Sequence, residues 1–181
     1  GVKSVELLSP GYQGTNRTFT DQFIASLAPF STLRFKDFLS IDNSSVVRWS
    51  DRTLPSHYSQ AVPAGGAWEY VVELANVTGK DIWINIPVGA DDDYVTQLAT
   101  LLKASLKPSI HVYVEFSNEV WNSLYSQTAT NMNEAVAEAE AGDTSLTGGT
   151  RCTAALFASR AGNCNQWWAG YLRVAKKTVK I

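Results

Sequence analysis

Two carboxylates and an amide interrupt an otherwise apolar and aromatic segment at residues 112–122 (VYVEFSNEVWN). Glu119 lies beside an amide, Asn118, and close to an indole, Trp121. Partial desolvation by such neighbours suits a carboxyl group to general-acid catalysis near neutral pH. The Asn118 amide can hydrogen-bond a substrate hydroxyl, and the Trp121 indole can stack on an apolar sugar face. The alternative is that Glu119 only caps or decorates the helix that follows it.

Glu115 lies inside the same segment rather than at its end. Because side chains alternate along a strand, Glu115 shares one face with Tyr113 and Ser117. A buried charge without a partner is very costly, and Arg34 on an earlier apolar segment can supply that partner. In this interpretation Glu115 belongs to a structural ion pair and takes no part in the chemistry.

Short apolar segments bounded by turn-forming residues predict the strands that position these groups. They are residues 4–8 (SVELL), 32–38 (TLRFKDF), 81–86 (DIWINI) and 111–116 (HVYVEF). Helical periodicity predicts helices at residues 20–29, 68–77, 91–106, 126–141 and 166–177. The final residues, TVKI, are compatible with the start of a fifth strand. This alternation predicts one α/β domain over residues 1–181, with a parallel sheet covered by helices.

A long connection at residues 42–66 follows the second predicted strand. Connections of this length in compact domains are commonly functional, and α/β proteins place their sites at the carboxyl ends of strands. We therefore expect Trp49, in this connection, to contact a substrate. Three other tryptophans, Trp83, Trp167 and Trp168, are assigned to packing.

The net charge, the apolar segments and the cysteines limit which partners and which cellular location the protein is expected to have. A formal net charge of −2 gives no sign of a nucleic-acid binder or a polybasic membrane patch. No apolar segment reaches the ~20 residues that span a bilayer. The Cys152 and Cys164 pair lies in a loop-like excursion at residues 144–165 and predicts a disulfide, hence an extracellular or secreted location. Two unrelated thiols are the alternative. No residue pattern predicts a metal site or another cofactor.

The run SNEVWN after the fourth predicted strand resembles the Asn-Glu signature of clan A glycoside hydrolases, which are retaining (β/α)8-barrel enzymes. The resemblance implies that Glu119 is the acid/base and that Asn118 binds the sugar 2-hydroxyl. Arg34 is similar in position to the family's arginine that supports the nucleophile carboxylate, a role that competes with pairing to Glu115. The segments LAPFSTLRFKDF, WEYVVELANVTGKDIWINIP and VYVEFSNEVWN also resemble bacterial and environmental proteins with cellulase-like barrels.

The chain departs from that family in length. A complete barrel has eight strands and ~250 residues, and the family's nucleophile, a Glu after the seventh strand, has no counterpart here. Retaining hydrolysis needs a second carboxyl group ~5–5.5 Å from the first. We therefore interpret residues 1–181 as the N-terminal half of a (β/α)8 barrel that cleaves β-linked polysaccharide or oligosaccharide when complete and is inactive alone.

Two alternatives to this interpretation stay open. The chain could be a non-catalytic carbohydrate-binding or scaffold protein that keeps the Asn118-Glu119 pair. It could also be an interaction module that pairs with a complementary half-barrel, because a partial barrel exposes sheet edges and exposed edges invite pairing.

Overall fold

The computed structural model describes Val5 and residues 8–181. Within that part of the chain, three parallel strands form one sheet in the order β1-β2-β3. The strands are β1 (Thr32–Arg34), β2 (Asp81–Ile86) and β3 (Val112–Phe116). The α-helices are α1 (Asp21–Ser26), α2 (Trp68–Thr78), α3 (Asp92–Ser105), α4 (Ser126–Glu140), α5 (Ala154–Ser159) and α6 (Gln166–Lys180). Short 3₁₀ turns lie at Trp49–Asp51 and Thr144–Thr147.

The sheet has one apolar face and one polar, aromatic face. Successive side chains of a strand point to opposite faces, and paired residues of parallel strands share a face. The apolar face packs under α2 and α3 and forms the main core, with Leu33, Ile82, Ile84, Ile86 and Phe116 all buried. The opposite face carries Arg34, Trp83, Asn85, Tyr113 and Glu115. Of these, Arg34, Asn85 and Glu115 lie near the carboxyl ends of their strands, where α/β proteins place their sites.

Local signals explain where the covering helices begin and end. Helix α2 ends at Gly79, whose φ of 66° is the left-handed conformation that glycine adopts without steric cost. Helix α3 begins at Asp91, whose side chain accepts a hydrogen bond from the backbone N–H of Tyr94. The Trp68 indole at the start of α2 donates to the Tyr94 hydroxyl at 2.7 Å, which ties the two helices together over the core.

Helices α4 and α6 pack side by side and run in the same direction. Asn131 contacts Gly170 and Arg173, and about two turns further along α4 Glu138 contacts Arg173 and Lys176. The segment between the helices must therefore return to the start of α6. It does so through an excursion closed by the Cys152–Cys164 disulfide, with a second small apolar core formed by Ala135, Ala139, Leu146, Phe157 and Ala169.

The predicted α/β class with parallel strands is confirmed, and so are the disulfide and the strands near residues 32, 81 and 111. The fifth strand predicted from TVKI is wrong, because these residues belong to the last turn of α6 and its end. The strand predicted at residues 4–8 falls largely outside the described residues. A barrel of four βα units therefore stays a prediction. No helix in the described ranges combines the length and apolarity needed to cross a bilayer.

Candidate functional site

The open side of β3 borders a groove of about 440 Å³, which we call the β3 groove. Its lining includes two carboxylates and three exposed aromatic rings, namely Glu115, Glu119, Trp83, Tyr113 and Trp121, together with the buried ring of Phe116. The groove continues between the strand and α6. The volume falls in the range of small-molecule sites, which combine apolar walls with a few polar groups. The structure therefore brings the predicted residues Glu119 and Trp121 into one site, together with Glu115.

The Glu115 carboxylate is held by three donors on one oxygen. Its Oε2 accepts from Arg34 Nη2 at 2.8 Å, Trp83 Nε1 at 3.0 Å and Asn85 Nδ2 at 2.7 Å. The Arg34 guanidinium also lies over the Trp83 ring, 4.6 Å from its centroid. The side chains of Arg34 and Glu115 are 40% and 32% exposed, so this ion pair is partly exposed and does not lie in the interior as we expected; of the two residues, Glu115 lines the groove. Charge-assisted bonds of this kind fix the carboxylate in one orientation.

Asn118 is engaged by the protein on both ends of its amide. Its Oδ1 accepts from Arg34 Nη2 at 2.9 Å, and its Nδ2 donates to Asp42 Oδ1 at 2.8 Å. The side chain is buried. A single nitrogen of Arg34 thus donates to both Glu115 and Asn118. Arg34 therefore pairs with Glu115 as expected, and its role beside a nucleophile carboxylate stays a prediction. The predicted contact of Asn118 with a sugar hydroxyl stays a prediction.

The backbone on both sides of Asn118 is strained. Ser117 has a φ of 59° and Glu119 a φ of 41°, which are sparsely populated conformations for residues that carry a Cβ. Asn85 Nδ2 donates to the Ser117 carbonyl at 2.8 Å, and Gln127 Nε2 donates to the Asn118 carbonyl at 3.0 Å. Such conformations persist only where neighbouring groups enforce them, and they concentrate at functional sites.

Glu119 itself is half-buried, and its Oε2 accepts from Asn122 Nδ2 at 3.0 Å. Glu119 lines the β3 groove, and its side chain does not serve as an N-cap for α4, which begins at Ser126 after Tyr125. This geometry does not support the alternative that Glu119 caps the following helix.

Asp42 is a site residue that the sequence analysis missed. Its carboxylate accepts from Lys36, Asn118 and Gln127. Burial alone would raise the pKa of Asp42, but these hydrogen bonds and the Lys36 charge outweigh burial and lower the pKa below its ordinary value of 3.8. Hydrogen bonding to Asp42 in turn raises the pKa of Lys36. The position of Asp42 at the start of the long connection was the one sequence signal for a site residue. Its amide partners, Asn118 and Gln127, lie 76 and 85 residues further along the chain.

The tryptophans do not all lie where the sequence analysis placed them. Trp49 does not line the β3 groove; its ring lies 5.3 Å from that of Tyr94 and 4.0 Å from the Arg52 guanidinium, so it packs beside α3. The assignment of Trp83 to packing is wrong, because its ring is 39% exposed and lines the groove. The same assignment is wrong for Trp168, which is 54% exposed on α6.

No protein-family model matches this chain, and no curated protein or solved structure matches it either. The resemblance to clan A glycoside hydrolases thus rests on the sequence of SNEVWN and the neighbouring segments, and it stays a prediction.

Proposed function

We propose that this chain is the acid-bearing half of a glycoside hydrolase-like protein that cleaves β-linked polysaccharide or oligosaccharide with retention when its barrel is complete. One observation carries the proposal. A single groove along β3 combines Glu119, on a strained turn, with a second carboxylate and three exposed aromatic rings. Sugar sites need this combination of flat apolar surfaces and fixed hydrogen-bonding groups.

In the proposed reaction Glu119 first acts as the general acid and protonates the glycosidic oxygen as the bond to the leaving group breaks. A nucleophile carboxylate from outside residues 1–181 takes the sugar as a covalent ester. Glu119, now ionised, then removes a proton from water, which hydrolyses that ester and restores both carboxyl groups. In this assignment Glu115 is an anchor and takes no part in the proton transfers, because three donors hold its carboxylate in one orientation.

Substrate binding is assigned to the aromatic rings of the groove. Trp83, Tyr113 and Trp121 are 39%, 53% and 60% exposed and lie together on one groove, and contiguous exposed apolar surface of this kind commonly marks a binding site. The Cys152–Cys164 disulfide supports an extracellular or secreted location, where polysaccharide is encountered and where disulfides persist.

The Trp121→Ala substitution tests this assignment through binding. We expect it to weaken the affinity for cellopentaose, a soluble β-linked oligosaccharide, about tenfold, which is roughly 1.4 kcal/mol and within the range of one lost aromatic contact. Isothermal titration calorimetry of the whole chain measures this change.

The matched control for Trp121→Ala is Trp168→Ala. Trp168 is also more than half exposed but lies on α6 away from the groove, so its removal leaves the affinity unchanged. Equal losses in the two variants, or no binding of cellopentaose, xylopentaose or mannopentaose by the wild-type chain, would contradict the proposal.

A second candidate is association with a complementary half-barrel. In the described sheet β1 and β3 each pair with β2 alone, so both outer edges offer unpaired backbone groups. Sedimentation equilibrium separates this candidate from simple sugar binding, because pairing of two copies doubles the 19.8 kDa mass of the chain.

A further inference from the structure

We propose that Asp42 is a positioning residue that holds the turn at residues 117–119 and thereby aims the Glu119 carboxyl group into the β3 groove. The effect of this positioning on sugar cleavage rests on the proposed function. The positioning itself can be measured on the chain without any sugar.

Asp42 binds the turn at two points through one oxygen. Its Oδ1 accepts from Asn118 Nδ2 and from Gln127 Nε2, both at 2.8 Å. The Gln127 amide then donates to the Asn118 carbonyl at 3.0 Å. Asp42 therefore contacts the side chain of Asn118 directly and its backbone through Gln127.

The orientation of both amides requires an acceptor at position 42. The Asn118 Oδ1 is taken by Arg34 Nη2, and the Gln127 Oε1 is taken by the backbone N–H of Asn43 at 2.9 Å. Each amide therefore presents its NH₂ group to Asp42, and both are almost completely buried. Without an acceptor at position 42, the buried NH₂ groups of Asn118 and Gln127 would each lose a hydrogen-bond partner. A buried donor without its partner destabilises the folded state.

The turn depends on this support because its backbone is strained on both sides of Asn118. Ser117 and Glu119 have φ values of 59° and 41°, and a Cβ disfavours both conformations. Asn85 holds the Ser117 carbonyl independently of Asp42. Loss of Asp42 is therefore expected to release the half of the turn that carries Glu119 and to leave the half that follows β3 in place.

The chain offers a control with the same change of charge. Asp37 also pairs with Lys36, at 2.9 Å, but its side chain is 92% exposed and it contacts neither Asn118 nor Gln127. Asp37→Ala and Asp42→Ala each remove one carboxylate from Lys36, and only Asp42→Ala removes the acceptor of the two amides. A second control, Lys36→Met, removes the cation and keeps both acceptor oxygens of Asp42.

The test is ¹H–¹⁵N NMR of the whole chain. In Asp42→Ala we expect the side-chain amide signals of Asn118 and Gln127 to lose their hydrogen-bonded shifts and the backbone amide signal of Glu119 to move. In Asp37→Ala and Lys36→Met these signals stay at their wild-type positions. If Asp42→Ala does not fold, Asp42→Asn keeps one acceptor oxygen and is expected to give smaller shifts of the same signals.

Two results would overturn the inference: unchanged Asn118, Gln127 and Glu119 signals in the folded Asp42 variant, or shifts of equal size in Lys36→Met. The proposed function fails separately. If the amide signals shift but the chain binds no oligosaccharide, the positioning role of Asp42 stands and the proposed sugar site fails. If the chain binds an oligosaccharide but the amide signals do not shift, the sugar site stands and the positioning role of Asp42 fails.

Discussion

We expect the Glu119→Gln substitution to lower the rate of hydrolysis of a β-linked oligosaccharide about 10²–10⁴-fold, the usual contribution of a positioned general acid. The amide keeps the shape of the side chain and cannot protonate the leaving oxygen, so the affinity for the oligosaccharide changes little. The rate is measured as the release of reducing ends by the product of the full reading frame that encodes this chain.

Two comparisons make the Glu119→Gln result specific. An aryl glycoside with a dinitrophenolate leaving group needs no protonation of that group. The rate of the first step therefore falls much less in the variant with this substrate than with the oligosaccharide. Glu140→Gln, at the exposed end of α4, makes the same chemical change away from the groove and keeps the wild-type rate. A Glu119→Gln variant with wild-type turnover of the oligosaccharide would remove Glu119 from the mechanism.

Replacing Arg173 with Leu destabilises the protein by about 3–5 kcal/mol, the usual cost of breaking a buried ion pair on one side. Arg173 on α6 is 3% exposed and donates to Glu138 at 2.8 Å, to Asn131 at 3.0 Å and to Glu134 on α4. Its loss leaves these acceptors without their buried cation at the interface of the two helices. The free energy of unfolding from urea titrations at pH 7 measures the effect.

Lys176→Leu is the matched control for Arg173→Leu. Lys176 lies on the same helix and also contacts Glu138, at 3.2 Å, but it is 45% exposed. Exposed pairs contribute about 0–1 kcal/mol, so this variant loses far less stability. Equal losses in the two variants would contradict a special role for the buried guanidinium.

The pH dependence gives the Arg173 prediction a second readout. Burial alone would raise the pKa of Glu138, but Arg173 and Lys176 outweigh it and lower that pKa below its ordinary value of 4.5. A lowered pKa stabilises the folded state above pH 4.5, and this contribution disappears as the pH falls through the folded pKa. The difference in stability between wild type and Arg173→Leu therefore shrinks as the pH falls below about 4.5.

Elements with strong local patterns were predicted well from the sequence. Strands β2 and β3 are short apolar runs between turn residues, and α2 and α3 have apolar periodicity with a glycine or aspartate at one end. The TVKI segment failed because its β-branched residues favour a strand locally, while the amphipathic pattern of α6 continues through Lys180 and decides the conformation.

The site residues that follow a predicted strand could be found from the sequence, and the site residue in the long connection could not. Glu119 and Trp121 follow β3 directly, so strand position alone placed them at its carboxyl end. Trp83 could also have been found, because alternation with Ile82 and Ile84 places it on the polar face. Asp42 could not, because no local pattern tells which loop carboxylate meets an amide far along the chain.

The most direct test of the sugar site is ¹H–¹⁵N NMR of the indole N–H groups during a titration with cellopentaose. The chain has six tryptophans, and only Trp83 and Trp121 line the β3 groove in the described part of the chain. We predict that their signals shift with saturation, while those of Trp68, buried against Tyr94, and of Trp168, on α6, do not. Unmoved Trp83 and Trp121 signals at millimolar cellopentaose, or a response confined to Trp168, would contradict a saccharide site in this groove.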